Sequence, residues 1–266
     1  MKEKMYKNLK RLKKEFFVIQ CRNWVASRAE GSGAVGLTLE KLLGKENDTI
    51  ALPDYLGIEL KTKLITSYPQ ISLFSMALDS KPLLMQHVWE KYGWKSGTDK
   101  KFKVFYATIY GHRYMKTKSR YCYKLIVDRK ANVVRLGVWD KHTKILDDSM
   151  SWSFQELNRR LNAKLMYLSV VHAQKNIAKG KEFFKYLDIS FYKLRNFDMF
   201  LYLIEKGEIF VSITLSYFKK GPQTGKMNDK GSCFIINEKS LTLLFEKIDV
   251  DISTCENEEV EETIKI

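Results

Sequence analysis

The sequence predicts an α/β fold in which a mixed β-sheet is flanked by helices, and two observations carry that prediction. Apolar runs of strand length, among them ISLFSMAL at 71–78, VVRLGVWD at 133–140 and IFVSITLSYF at 209–218, alternate with segments whose apolar residues recur at a helical period. No stretch rich in Pro, Gly or Ser separates these segments and no repeat divides them, so residues 1–266 read as a single domain. A chain of this length buries a sufficient core without disulfides or a structural metal. Its four cysteines, at 21, 122, 233 and 255, have neither CxxC nor Cys/His ligand spacing and read as the reduced thiols of an intracellular protein.

Residues 5–28 place Leu9, Leu12, Phe16, Ile19 and Val25 at an approximate helical period with Lys and Arg between them, which predicts one or two basic helices packed on a sheet. Gly31 to Gly36 matches G-x-G-x-x-G, but the segment before it is helical rather than a strand, and Leu37 stands where a phosphate-binding loop has its lysine. The glycines read instead as a loop leading into a short helix over TLEKLLG, which bears Glu40. Beyond Pro53 and Gly57, Ile58 and Leu60 mark a strand, and ISLFSMAL, bounded by Pro69 and Pro82, is expected to pair with it as a central strand. Residues 100–127 hold eight Lys/Arg, seven aromatics and no acid. That interleaving suits either a strand pair with buried aromatics and a solvated basic face, or a surface that grips a polyanion, with Tyr110, His112, Arg113, Lys116 and Lys118 as contact candidates. Ser153 and Glu156 form a capping box for the helix QELNRRLNAKL, which leads into the strand MYLSVV. A helix over Phe197 to Lys206, stopped by Gly207, precedes the strand at 209–218, a polar loop from Lys219 to Gly231, and the strand CFIIN.

Chemistry concentrates in LPDYLGIELKTK at 52–63. Alternate strand side chains share a face, so Glu59 and Lys61 point one way while Ile58 and Leu60 point into a core. Asp54, across the Tyr55-Leu56-Gly57 turn, folds back beside Glu59. Two carboxylates and one ammonium then converge. Such a pair of carboxylates suits Mg²⁺, which takes one or two protein carboxylates together with substrate phosphate oxygens, polarises a phosphoryl group and acidifies water. Lys61 is placed to orient or deprotonate that water and to offset developing charge. An acid-x-Lys triplet by itself is a common ion pair, and Asp79/Lys81, Asp99/Lys101 and Asp128/Lys130 repeat it here. Only Glu59/Lys61 has a Pro-Asp upstream and an alternating strand beneath it.

Net charge is +15, and seven acids crowd between Asp249 and Glu262, so residues 1–248 carry 45 Lys+Arg against 24 Asp+Glu. A body with that basic excess favours a polyanionic partner. No run approaches membrane-spanning length and the N-terminus has no signal-peptide apolar region, which makes a cytoplasmic location the expectation. The four histidines, at 87, 112, 142 and 172, have no paired metal-binding spacing, and no G-x-S-x-G supports a serine hydrolase.

Pro53-Asp54, four residues, then Glu59-Leu60-Lys61 resembles the active-site signature of PD-(D/E)xK nucleases. Together with GLTLEKLLG, VVRLGVWDK at 133–141, WSFQELNRRLNAKLMYLSVV at 152–171 and GKMNDKGSCFIIN at 225–237, in that order, it resembles the MvaI/BcnI type II restriction endonucleases, relatives of the mismatch-repair nickase MutH. The resemblance runs from about Arg28 to Ile248. It implies a MutH-like PD-(D/E)xK restriction-endonuclease fold, with a catalytic lobe including about 28–100 and a recognition lobe including about 190–240. It further implies a Mg²⁺-dependent, sequence-specific endonuclease acting on double-stranded DNA, leaving 5′-phosphates, working as a monomer and paired functionally with a DNA methyltransferase. Asp54 and Glu59 would hold the metal, Lys61 would handle the water and Glu40 would assist from its helix. Lys219, Lys220, Lys226, Asn228, Asp229 and Lys230 would contact DNA from the loop, which on composition alone reads equally as an exposed hairpin; by their own chemistry Asn228 suits adenine, Lys230 suits guanine, and Arg113 and Lys116 in the acid-free segment suit phosphates. The sequence departs from the family where Asn228 and Lys230 replace the loop's usual histidines and Ile235 an expected arginine, so the family's CC-and-GG flanked target does not carry over. A MutH-like nickase and a non-catalytic basic nucleic-acid-binding module are the alternative readings.

Overall fold

The structure, a computed structural model, describes residues 2–45, 53–79 and 83–252; Leu52, Lys81, Cys255 and the acidic run from Glu256 to Glu262 lie outside them. Helix α1 (Lys2–Cys21), strand β1 (Trp24–Ala26), helix α2 (Ala34–Leu42) and strand β2 (Glu59–Leu64) open the chain. There follow β3 (Gln70–Ser75), α3 (Leu84–Tyr92), β4 (Trp94–Lys95), β5 (Lys103–Tyr110), β6 (Met115–Lys116), β7 (Tyr121–Asp128), β8 (Val133–Asp140) and β9 (Leu146–Ser153). Helix α4 (Phe154–Leu165), β10 (Tyr167–Ala178), β11 (Lys181–Leu194), α5 (Phe197–Lys206), β12 (Ile209–Tyr217), β13 (Met227–Asn237), α6 (Leu241–Leu244) and β14 (Phe245–Ile248) complete it. Among the described residues no helix is long and apolar enough to cross a membrane.

The chain divides into two compact units, one of residues 1–69, 162–195 and 245–266, the other of residues 70–161 and 196–244.

In the first unit the sheet order is β1-β11-β10-β2, with β14 also on β11. β10 and β11 are antiparallel, whereas β2 runs parallel to β10 with Glu59 opposite Leu168 and Lys61 opposite Val170. The expected pairing of β2 with ISLFSMAL is therefore wrong. β3 instead lines up antiparallel with β13 at the edge of another sheet, in the second unit. The mostly apolar strand over Leu168 to Val171 is the partner that lies beside β2, and alternation alone does not distinguish the two candidates. The N-terminal basic segment is one helix followed by a short strand holding Val25. Leu9, Leu12, Phe16 and Ile19 are buried under α1. Leu9 and Leu12 pack on Ile58, Leu60 and Phe191, while Phe16 and Ile19 join Val35 and Leu39 of α2 against Val171 and Phe184. Each such side chain contributes roughly 1.5–3 kcal/mol. The lysines between them are half-buried, and Lys13 Nζ donates to Val250 O.

The second unit holds two antiparallel sheets, β3-β13-β12-β5-β4 and β6-β7-β8-β9. Residues 100–127 do form strands with buried aromatics, Phe105 and Tyr123 among them, but β5 and β7 lie in different sheets rather than pairing with each other. Helix α5 has the expected limits, with the Asn196 side chain accepting from Met199 N–H at 2.8 Å at its start and Gly207 left-handed at φ 75° at its end. The box at α4 is half as expected. Ser153 Oγ accepts from Glu156 N–H at 3.3 Å, but the Ser153 N–H donates to Asp79 rather than to Glu156, which pairs with Arg159.

Candidate active site

Two positive backbone torsions build the site. Leu56 at φ 52° and Gly57 at φ 82° form a two-residue turn closed by Ile58 N–H on Tyr55 O at 2.8 Å and Tyr55 N–H on Ile58 O at 3.0 Å. This is the pattern of a type I′ turn, in which both central residues are left-handed, and it reverses the chain tightly. Helix α1 anchors it: Asn8 Nδ2 donates to Leu56 O at 2.9 Å and the Tyr55 hydroxyl donates to Glu15. Burial and that bond together push the Tyr55 hydroxyl up to about 12. With the chain reversed, Asp54 Oδ2 accepts from the Leu60 N–H at 3.0 Å, so the aspartate does fold back onto the strand bearing Glu59.

Glu59 has no solvent exposure. Its Oε1 takes Lys61 Nζ at 2.5 Å and Lys164 Nζ at 3.3 Å, while Oε2 is buried without a hydrogen-bond partner. Burial holds the Glu59 carboxyl above the usual carboxylate range; Asp54 pushes the same way and the two lysines oppose. A buried, half-unsatisfied carboxylate is costly unless something cationic shares it. Asp54 Oδ1 lies 3.2 Å from Lys45 Nζ, which stands 4.0 Å from Glu40 Oε2. The structure thus brings together Asp54, Glu59 and Lys61, with Glu40 reached through Lys45. Among the described residues no three His, Cys, Asp or Glu side chains converge as one ligand group, so Glu40 stands apart from the Asp54/Glu59 pair. The buried, unpartnered oxygen of Glu59 and the hard carboxylate donors fit a Mg²⁺-sized cation.

Sequence reasoning missed Lys45 and Lys164. Lys164 occupies the last turn of α4, where a basic residue ordinarily reads as a complement to the helix dipole. Its approach to Glu59 follows from the parallel pairing of β10 with β2, which no local pattern announces. Lys45 follows α2 with nothing in its spacing to mark it.

The candidate contact residues lie in the second unit. Lys219, Lys220 and Lys226 sit exposed in the connection between β12 and β13. Asn228, Asp229 and Lys230, expected in that loop, stand instead on β13, where Asn228 lies opposite Ser216 and Asp229 opposite Leu215 beside an irregularity in the ladder. The strand extends further toward the loop than its polar sequence suggests, because the apolar β12 lies alongside as a partner for its backbone. Asp229 Oδ1 accepts from Gly231 N–H at 2.7 Å, while Lys230 is exposed and Asn228 half-buried. Between β5 and β7, Arg113 is exposed and its guanidinium stands 5.4 Å from the centre of the Tyr110 ring; Lys116 is exposed on β6.

The model of the MvaI/BcnI restriction endonuclease family matches residues 13–245. The solved complex of restriction endonuclease MvaI with cognate DNA substrate is 29% identical, with a TM-score of 0.82 over 90% of this chain and 97% of that one. MvaI in the absence of DNA is 28% identical over the same shares, with a TM-score of 0.58. No curated protein matches.

Proposed function

The chain belongs to the MvaI/BcnI restriction endonuclease family and is a type II site-specific nuclease, and from that premise we propose that it hydrolyses double-stranded DNA in a Mg²⁺-dependent reaction that leaves 5′-phosphates. The observation that carries the reading is Glu59, buried with one oxygen unpartnered beside Asp54 and Lys61. Asp54 and Glu59 would hold the cation. When bound, a Mg²⁺ ion supplies Lewis-acid polarisation of the phosphoryl group and acidifies water. Lys61 Nζ, held by Glu59 Oε1, orients the attacking water and offsets the charge that develops on the phosphoryl oxygens. Water attacks phosphorus, the bond to the 3′-oxygen breaks, and a 5′-phosphate and a 3′-hydroxyl remain. Lys164, sharing Glu59 Oε1, keeps that carboxylate aimed. Glu40 assists from α2. MvaI was solved on a cognate DNA substrate, and the likeness of this chain to that complex supports duplex DNA as the ligand here. Action as a monomer, a functional pairing with a DNA methyltransferase, and a cytoplasmic location complete the proposal.

Incubation of supercoiled plasmid with and without Mg²⁺ tests it, on the wild type and on Asp54→Ala, Glu59→Ala and Lys61→Ala. Residues that act as one catalytic unit lose most of their effect together, so each variant should cost several orders of magnitude in cleavage while keeping its fold. Near wild-type cutting by Glu59→Ala in Mg²⁺ would remove the site assignment.

A further inference from the structure

Lys45 places its ammonium between Asp54 and Glu40. Gly44 is left-handed at φ 74°, Gly44 N–H donates to Lys41 O at 3.3 Å and Lys45 N–H donates to Glu40 O at 2.9 Å. These two bonds close a Schellman motif at the end of α2, which fixes the Lys45 backbone to the helical turn that carries Glu40. From that anchor the side chain, only 13% exposed, carries its ammonium to 3.2 Å from Asp54 Oδ1 and 4.0 Å from Glu40 Oε2. The other Asp54 oxygen already accepts from the Leu60 N–H, and Glu59 Oε1 is shared by Lys61 and Lys164. Of the oxygens on Asp54 and Glu59, only Glu59 Oε2 has no donor. An incoming cation that draws on Asp54 Oδ1 must share it with an ammonium or displace it.

The charges lead to the same place. Among the described contacts Glu40, Asp54 and Glu59 meet Lys45, Lys61 and Lys164, so a divalent cation approaches carboxylates that already face ammonium groups. A like charge a few ångströms away in a partly buried site opposes binding strongly. We propose that Lys45 is an internal competitor for the divalent cation, its ammonium holding the Asp54–Glu40 side of the cluster so that the DNA-free protein binds metal weakly. This inference rests on the reading of Asp54 and Glu59 as cation ligands.

Titration of the DNA-free protein with Mn²⁺, followed by electron paramagnetic resonance of the free ion, tests it without any cleavage readout. Lys45→Met, which keeps the length and removes the charge, should bind Mn²⁺ at least about ten-fold more tightly than the wild type, a modest share of one close charge–charge repulsion. Lys45→Arg, which keeps the charge, should stay near wild type, and Glu59→Gln should bind more weakly. Lys45→Gln is titrated alongside and carries the test if Lys45→Met does not fold by circular dichroism. Unchanged or weaker Mn²⁺ binding in the neutral variants overturns the proposal, as does Lys45→Arg matching them. Equal affinity of wild type and Glu59→Gln has a different signature: the ligand assignment fails first, and the competitor role with it.

Discussion

Glu59 shows how a single residue trades stability for chemistry. A carboxyl whose pKa is higher in the folded than in the unfolded state binds its proton more tightly when folded. The stability it contributes is therefore present below the unfolded value of about 4.3 and is lost as pH rises through the raised folded value. Above that window the ionised group is a net cost, which burial sets and two lysines only partly offset. Glu59→Gln should then abolish cleavage and yet melt at a higher temperature than the wild type at pH 8, with the gap closing toward pH 4. Thermal melts of both proteins across that range check it, and a less stable Glu59→Gln at pH 8 would contradict the direction of the shift. The residues of this cluster that were legible in the sequence, Asp54, Glu59 and Lys61, are joined by one turn and one strand, so a spacing rule finds them. Lys164 was not, because a contact with Glu59 across 105 positions depends on which strands pair, a long-range outcome with no local signature.

The element that makes this cluster is the Tyr55–Ile58 turn. Its left-handed Leu56 is an uncommon conformation for a branched apolar residue and carries strain of about 1–2 kcal/mol, which the anchors from Asn8 and Glu15 offset. Gly57 takes the second left-handed position without that strain. A Cβ there would also stand 3.2 Å from Met5 Cε. Gly57→Ala should therefore lose about 1–2 kcal/mol of unfolding free energy in urea, and should lower cleavage more than binding, because Asp54 rides on this turn. No change in the urea midpoint would show that the turn tolerates a side chain and does not position Asp54. The helices were legible because caps and periods are local: Asn196 and Gly207 delimit α5 where the sequence placed it. Pairing among strands was not. ISLFSMAL and LSVV are both short apolar runs, and β10, not β3, lies beside β2 under the core that α1 and α2 cover.

At the scale of the whole molecule the question is which basic residues grip and which read. Residues 1–248 carry an excess of 21 positive charges, enough to bind any duplex by releasing its counterions. Arg113 and Lys116 lie exposed in the acid-free stretch between β5 and β7. Their replacement by Ala should weaken binding to all duplexes alike and reduce the slope of log K against log salt by about 0.9 for each phosphate that is no longer neutralised. Asn228 and Lys230 lie instead on β13, the strand that runs beside β12. Asn228 lies opposite Ser216 in the β12–β13 ladder, which fixes its backbone. Each replaced by Ala should cost roughly 1–3 kcal/mol on the cognate duplex, relax preference at one base position, and leave scrambled DNA nearly unaffected. The distinction rests on the targets: phosphates repeat along every duplex, whereas the donors and acceptors of the major groove change from pair to pair. Titrations on cognate and scrambled duplexes at two or more salt concentrations separate the two classes. If Asn228→Ala and Lys230→Ala weaken both duplexes equally and flatten the salt slope, the β12–β13 hairpin is a backbone clamp, and sequence is read by residues elsewhere in the chain.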